Sequence, residues 1–408
     1  MLTTTTITPI DAPITTTINN TLYPSHLHHA LIINRDSSGQ ANPDTDDSTF
    51  LNHLRTLATQ PIDMVQFLGD TPSLAIWEAL KDLKNVSHLE MLSGYDETCN
   101  ITPLDQVGSS WPGQANPDTD DSTFLNHLRT LATQPIDMVQ FLGDTPSLAI
   151  WEALKDLKNV SHLEMLSGYD EYCNITPLDQ VGSSWPLQSL VIGSAAGESI
   201  NTAHLQTITS LKLDYCCGLS FDLCTRDSPS KLKQLTIIEN DACDHFIKFQ
   251  ENTSLLNHLT ELKLQSTNGC DFSYQYDEEC FGKALVQCHS IKSLDLTMSD
   301  SSDDDSKENY LIELPVFFPP NVEVLRFRGP PTLANHLSVW YKCISDPKWL
   351  PNLKSIQFCL DVCHRDKEIP SDIAKLAYEQ STQFLKDFKS FRPSVAILDE
   401  EAIPVSTT

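Results

Sequence analysis

Basic residues are scarce in this chain: 27 Lys and Arg stand against 55 Asp and Glu, a formal net charge of -28. A surface that acidic repels phosphate backbones instead of releasing their counterions, so neither nucleic acid nor an anionic membrane is an expected partner. Glycine is scarce as well, with 14 residues in 408, which leaves little material for loops that cradle phosphate. No G-x-S-x-G, H-E-x-x-H, P-loop or dinucleotide fingerprint occurs. Long apolar runs are missing too, none reaching the ~18 residues of a membrane-spanning helix. The opening MLTTTTITPIDAPITTTINNT has no basic n-region and no apolar h-region, so no export or transit signal is read there, and the expected compartment is the cytoplasm or the nucleus. Twelve cysteines without a C-x-x-C pair do not make a disulfide scaffold or a zinc ribbon, and free thiols are expected.

What is present suffices for a core: 40% of residues are hydrophobic and 20% charged, outside the range of disordered chains. Length alone would suggest two or three domains. Self-similarity changes that count, because residues 39–112 recur as 113–186 with one difference, Thr98 in the first copy and Tyr172 in the second. Such near-identity extends through loops and surface positions and marks a duplication, not a structural period. Each copy carries eleven acidic and three basic residues, so a single-copy chain would have 334 residues and a net charge of -20.

A finer repetition runs beneath the duplication, with three apolar residues spaced L-x-x-L-x-L. It is found at Ile62-Val65-Phe67, Val86-Leu89-Met91, Ile136-Val139-Phe141, Val160-Leu163-Met165, Leu187-Leu190-Ile192 and Ile208-Leu211-Leu213. It continues at Leu232-Leu235-Ile237, Leu259-Leu262-Leu264, Ile291-Leu294-Leu296, Val322-Leu325-Phe327 and Leu353-Ile356-Phe358. Starts are 21 to 32 residues apart except for one step of 50 at the copy junction, which a single-copy chain would shorten to 27. Apolar residues two apart point to one face of a short strand, and the intervening residues return the chain for a parallel neighbour. Amphipathic stretches over 50–58, 74–83, 244–255, 281–288 and 333–344 supply helical returns.

This pattern resembles the leucine-rich-repeat family over roughly residues 60–360. Two turns carry more of the motif: Ile208 to Leu219 reads L-x-x-L-x-L-x-x-C-x-x-L with Cys216, and Leu232 to Asn240 ends on Asn240. Elsewhere the Asn/Cys place holds Asp70, Gly94, Ala195, Thr267, Ser299, Pro330 and Asp361, so the usual side-chain ladder is expected to be mostly missing. The long, irregular repeats are similar to those of fungal F-box/leucine-rich-repeat proteins. The resemblance implies an α/β solenoid, a horseshoe with a parallel concave sheet, and a substrate-recognition role beside a Skp-type adaptor. No L-P-x-E-type F-box triplet precedes residue 60, so the adaptor part of that role has no residues to rest on. Residues 1–27 are expected to be disordered or an N-terminal extension and 28–398 one solenoid, opened by a strand at 28–34. A helix at about 371–390 closes it, and 399–408 form a frayed tail.

No catalytic residue, cofactor or metal site is expected. His26, His28 and His29 cluster without partners at ligand spacing, Cys359-x-x-x-Cys363-His364 is a weak zinc pattern, and the acidic run 300–306 lacks the glycine and terminal Glu of a calcium loop. The most specific signal is positional. At places two, three, five and seven of the turns from 187 to 359 lie Lys212, Lys233, Lys263, Lys292, Arg326, Arg328 and Lys354, against Asp214, Glu261, Asp295 and Glu323. Exposed strand faces are often rich in Lys and Thr, which accounts for such a list without a ligand. The sharper expectation is a concave, mildly basic face that docks an acidic or polar segment of a partner protein, with Arg326 and Arg328 as anchors. An enzyme whose site is assembled from irregular loops is the alternative.

Overall fold

The computed structural model describes residues 136–142, 151–152, 154–166, 185–195, 207–216, 230–251, 256–266, 280–299, 310–362 and 370–398, and elsewhere the backbone of short strands alone. It is an α/β fold built on open parallel sheet, and the chain divides into two compact units, Met1–Ile200 and Asn201–Thr407.

In the first unit strands β1 (Thr5–Pro9), β2 (His29–Arg35), β3 (Met64–Gly69), β4 (His88–Leu92), β5 (Met138–Leu142), β6 (His162–Leu166) and β7 (Ser189–Gly193) lie side by side in chain order. All neighbours from β2 to β7 are parallel, and β1, inside the 1–27 extension, pairs antiparallel on β2. The two sequence copies contribute β3–β4 and β5–β6. Met64 pairs with His88, His88 with Met138 and Met138 with His162, so the 50-residue step leaves the pairing unshifted. Burial explains the spacing of the motif. Places one, four and six (Ile136, Val139, Phe141; Val160, Leu163, Met165; Leu187, Leu190, Ile192) are all at most 3% exposed. Phe141 stacks towards Trp151 at 5.2 Å and Trp151 towards Trp185 at 5.9 Å, so the Trp-Pro end of the copy is a core element.

The second unit repeats this arrangement with β8 (Ser210–Asp214), β9 (Gln234–Glu239), β10 (Glu261–Ser266), β11 (Ser293–Thr297), β12 (Val324–Arg328), β13 (Ser355–Cys359) and β14 (Ala396–Ile397), each parallel to the next. Returns are helical at α1 (Ala242–Glu251), α2 (Cys280–Gln287), α3 (Ser338–Ser345) and α4 (Ser371–Phe391). The stretch 333–344, expected as one helix, divides into a 3-10 turn at Pro331–Asn335 and α3, with His336 leaving helical geometry at φ -128 and ψ 29. The helix expected at about 371–390 is the return limb between β13 and β14; it packs Phe384 and Phe388, both fully buried, against the last strands.

Polar groups close the start of α1. Asp241 Oδ1 accepts the N–H groups of Cys243 and Asp244 at 3.1 and 3.0 Å, and Ser266 Oγ, from the next turn, accepts that of Ala242 at 3.2 Å. Three of the helix's first N–H donors are therefore satisfied by side chains. Asp241→Ala is expected to cost about 1 kcal/mol, read as a fall in the urea midpoint at constant slope. Glu239, just upstream, and His245, within α1, are each 3% exposed, with His245 Nδ1 3.3 Å from Glu239 Oε1. The same oxygen accepts the backbone N–H of Cys216 one turn earlier. Glu239, the residue before Asn240, thus ties this turn to the preceding one.

Aromatic side chains seal the far end of this unit. Trp340 is fully buried, with ring centroids of Phe327, Phe358, Phe318 and Phe384 at 4.6, 5.2, 5.7 and 6.2 Å. Gly329 is needed for this packing, since a Cβ there would stand 2.7 Å from the Phe327 ring.

Candidate functional site

Alternation along each strand sends places four and six into the helix-covered core and leaves three, five and seven on the opposite face. In the second unit that face carries three cross-strand rows. The middle row runs Lys212, Thr236, Lys263, Asp295, Arg326, Gln357 in direct register. The row on its C-terminal side runs Asp214, Ile238, Gln265, Thr297, Arg328, Cys359.

Place two belongs elsewhere. Its carbonyl accepts N–H groups from both places two and three of the next turn, as Thr209 O does from Lys233 and Gln234 at 2.8 and 3.0 Å, and Glu323 O from Lys354 and Ser355 at 2.7 and 3.1 Å. By period two it cannot share a face with three, five and seven, yet Lys233, Lys292 and Lys354 are exposed. These three lysines form a separate lead-in row at the strand N-termini. Of the seven cations read together in the sequence, Lys212, Lys263, Arg326 and Arg328 share the open strand face.

Most of the seven are occupied by acids. Lys212 Nζ lies 3.0 Å from Asp214, and Lys263 Nζ 3.9 Å from Asp295. Arg328 donates Nε and Nη2 to the two carboxylate oxygens of Asp361 at 3.1 and 2.6 Å, a bidentate pair. In the lead-in row Glu323 is shared by Lys292 at 3.6 Å and by Lys354. The hydrogen bond from Lys354, with the charge of Lys292 beyond it, holds the Glu323 carboxyl below its ordinary range. Lys233 and Arg326 are the exceptions: among the described residues neither side chain has an acid within 4.0 Å.

Asp295 is the central acid of the face. Burial pushes its carboxyl up, opposed by the charges of Lys263, Arg326 and Arg328. Sequence reading counted Asp295 only as an offset against the cations, and it passed over Gln357, which faces Arg326 from the next strand and is 9% exposed. An uncharged polar residue at place five beside an arginine was the available signal.

Other candidates are structural or lie outside the description. Cys359 is buried at place seven; Cys363, His364, His26, His28 and residues 300–306 are outside the described residues. For His29 the backbone alone is described. Burial pushes the Cys288 thiol up to about 12, and its Sγ donates to Ala284 O at 3.4 Å, which makes it a core thiol rather than a nucleophile. Among the described residues no group of three His, Cys, Asp or Glu is placed to hold a metal ion, and no helix is long and apolar enough to cross a membrane. No family model and no curated protein matches this chain.

Proposed function

We propose that this chain is a non-enzymatic protein-interaction module, a leucine-rich-repeat solenoid that docks an acidic segment of a partner protein on its strand face. The observation that carries this reading is the separation of faces. Apolar residues are buried at places one, four and six in every described turn from 208 to 358, while places three and five are half-buried or exposed at every turn except for Gln357. A sheet that exposes one face over many strands, with charged side chains in rows, suits an extended ligand better than an enclosed small molecule. Following the resemblance to fungal F-box/leucine-rich-repeat proteins, the module would present substrates to a ubiquitin ligase, with its Skp-type adaptor contact supplied outside the repeats.

Arg326 is the residue to change, because Arg328 is engaged with Asp361 and its substitution would break that bidentate pair. Affinity purification from the native source is expected to recover a partner with wild-type protein and to lose it with Arg326→Glu. Titration of the purified partner should show a Kd weaker by tenfold or more, which is about 1.4 kcal/mol. Equal recovery and equal Kd would sink the strand-face reading.

A further inference from the structure

We infer that Arg326 and Gln357 together form a receptor for a single carboxylate, the side chain of an Asp or Glu in an extended partner segment. This deepens the strand-face reading above and rests on it. Three observations lead there. The first is adjacency: the two residues are direct register partners on β12 and β13, at the same place of successive turns, so their side chains rise from one face about 4.8 Å apart. The second is vacancy of hydrogen bonding. Among the described residues Arg326 has no acid within 4.0 Å, and the Gln357 amide, although the residue is 9% exposed, makes no side-chain hydrogen bond. The Gln357 amide atoms reach the surface and are not sealed in the core, so a ligand lying on the strand face can meet them.

Charge supplies the third. Around Arg326 stand the cations Lys263 and Arg328 and the acids Asp295 and Asp361. Three cations against two acids leave one positive charge, which one carboxylate neutralises. Guanidinium N–H groups offer a planar fork to the two carboxylate oxygens, and the Gln357 Nε2 donates a further bond from the side. The neighbouring bidentate Arg328–Asp361 pair displays the same chemistry completed within the chain.

The probe is a fluorescein-labelled peptide of alternating Asp and Gly, followed by anisotropy at low salt, with Asn-Gly and phosphoserine-Gly peptides in parallel arms. Wild type is expected to bind the Asp peptide and to ignore the Asn peptide. Arg326→Gln should weaken binding about tenfold and Gln357→Leu about threefold to tenfold, while Lys233→Gln stays within about twofold. Asp295→Asn, which removes the competing acid, should tighten it. Gln357→Glu should pair with Arg326 in cis, abolishing peptide binding without lowering the melting temperature, a result that misfolding would not give.

The assignment is overturned by equal loss in Lys233→Gln, which means diffuse attraction, or by tighter binding of the phosphoserine peptide, which means a phosphate receptor. It is likewise overturned if the Asn peptide binds as well as the Asp peptide, or if wild type fails to bind at about 1 mM. Should the peptide arms fail while Arg326→Glu still loses the natural partner, the carboxylate receptor falls and the wider strand-face reading stands.

Discussion

Trp340→Ala is expected to destabilise the second unit by about 3–5 kcal/mol, the range of a large aromatic removed from a packed core. Two terms combine. The indole has no exposed surface and lies within ring-packing distance of Phe318, Phe327, Phe358 and Phe384, which come from the loop before β12, from β12, from β13 and from α4. Those rings are held by different elements and cannot collapse together into the vacated space. Trp340 Nε1 also donates to Leu311 O at 2.9 Å, so truncation leaves a buried carbonyl without that donor. Trp340→Phe should recover most of the loss and retain a deficit of about 1 kcal/mol for the missing N–H. Urea unfolding followed by circular dichroism reads both variants. A shift under about 1 kcal/mol for the alanine variant would mean the ring cluster repacks freely.

Arg392→Ala is expected to cost about 2–3 kcal/mol, concentrated in α4 and β14. Its guanidinium donates to the carbonyls of Leu350 at 2.9 Å, Asp346 at 2.6 Å and Trp349, and lies 5.6 Å from the Trp349 ring centroid. One of these carbonyls belongs to Leu350, whose φ of 43 is unusual for a side chain branched beyond Cβ, so the arginine also holds a left-handed turn. Water replaces part of what is lost because the guanidinium is only half-buried. A lysine offers one compact ammonium where the turn needs a fork, so Arg392→Lys should recover less than half. Hydrogen exchange is the measurement of choice: protection should fall across 371–391 and 346–353 and hold on β9 and β10. Uniform loss along the unit would contradict a local anchor.

The strand positions were readable because burial imposes them. A place-four or place-six residue such as Leu294 or Phe327 cannot be polar without facing the helices, so the motif survives even where successive starts lie 21 to 32 residues apart. Helix α1 was readable for the same reason, although its start, fixed by the Asp241 cap, lies two residues before the stretch expected from apolar periodicity alone. Less could be read of the face. Whether Lys263 or Arg328 is available to a ligand depends on acids one turn away, Asp295 and Asp361; a tally along the chain counts Asp295 without showing that it touches Lys263, and leaves Asp361 out. Lys233, Lys292 and Lys354 were grouped with the strand face because place two is polar like three and five, whereas alternation assigns it to the other side and the strand simply has not yet begun. Hydrogen bonding by Glu239 was hidden for a different reason: it arises one place before Asn240, where the motif reading did not look.

Duplication carries a consequence for how the chain reaches its fold. Because β3 and β5 share their core sequence, as do β4 and β6, strand β2 has two competing partners of nearly equal quality. Pairing β2 with β5 expels one whole copy as a loop and still aligns every apolar residue, and the entropic cost of the longer loop grows only logarithmically. The chain is therefore expected to refold against its own decoy, a kinetic competition that a single-copy molecule lacks. Removing 113–186 should abolish a slow refolding phase of the full chain while leaving the unfolding of the second unit unchanged. If both forms refold with the same phases, the two copies do not compete.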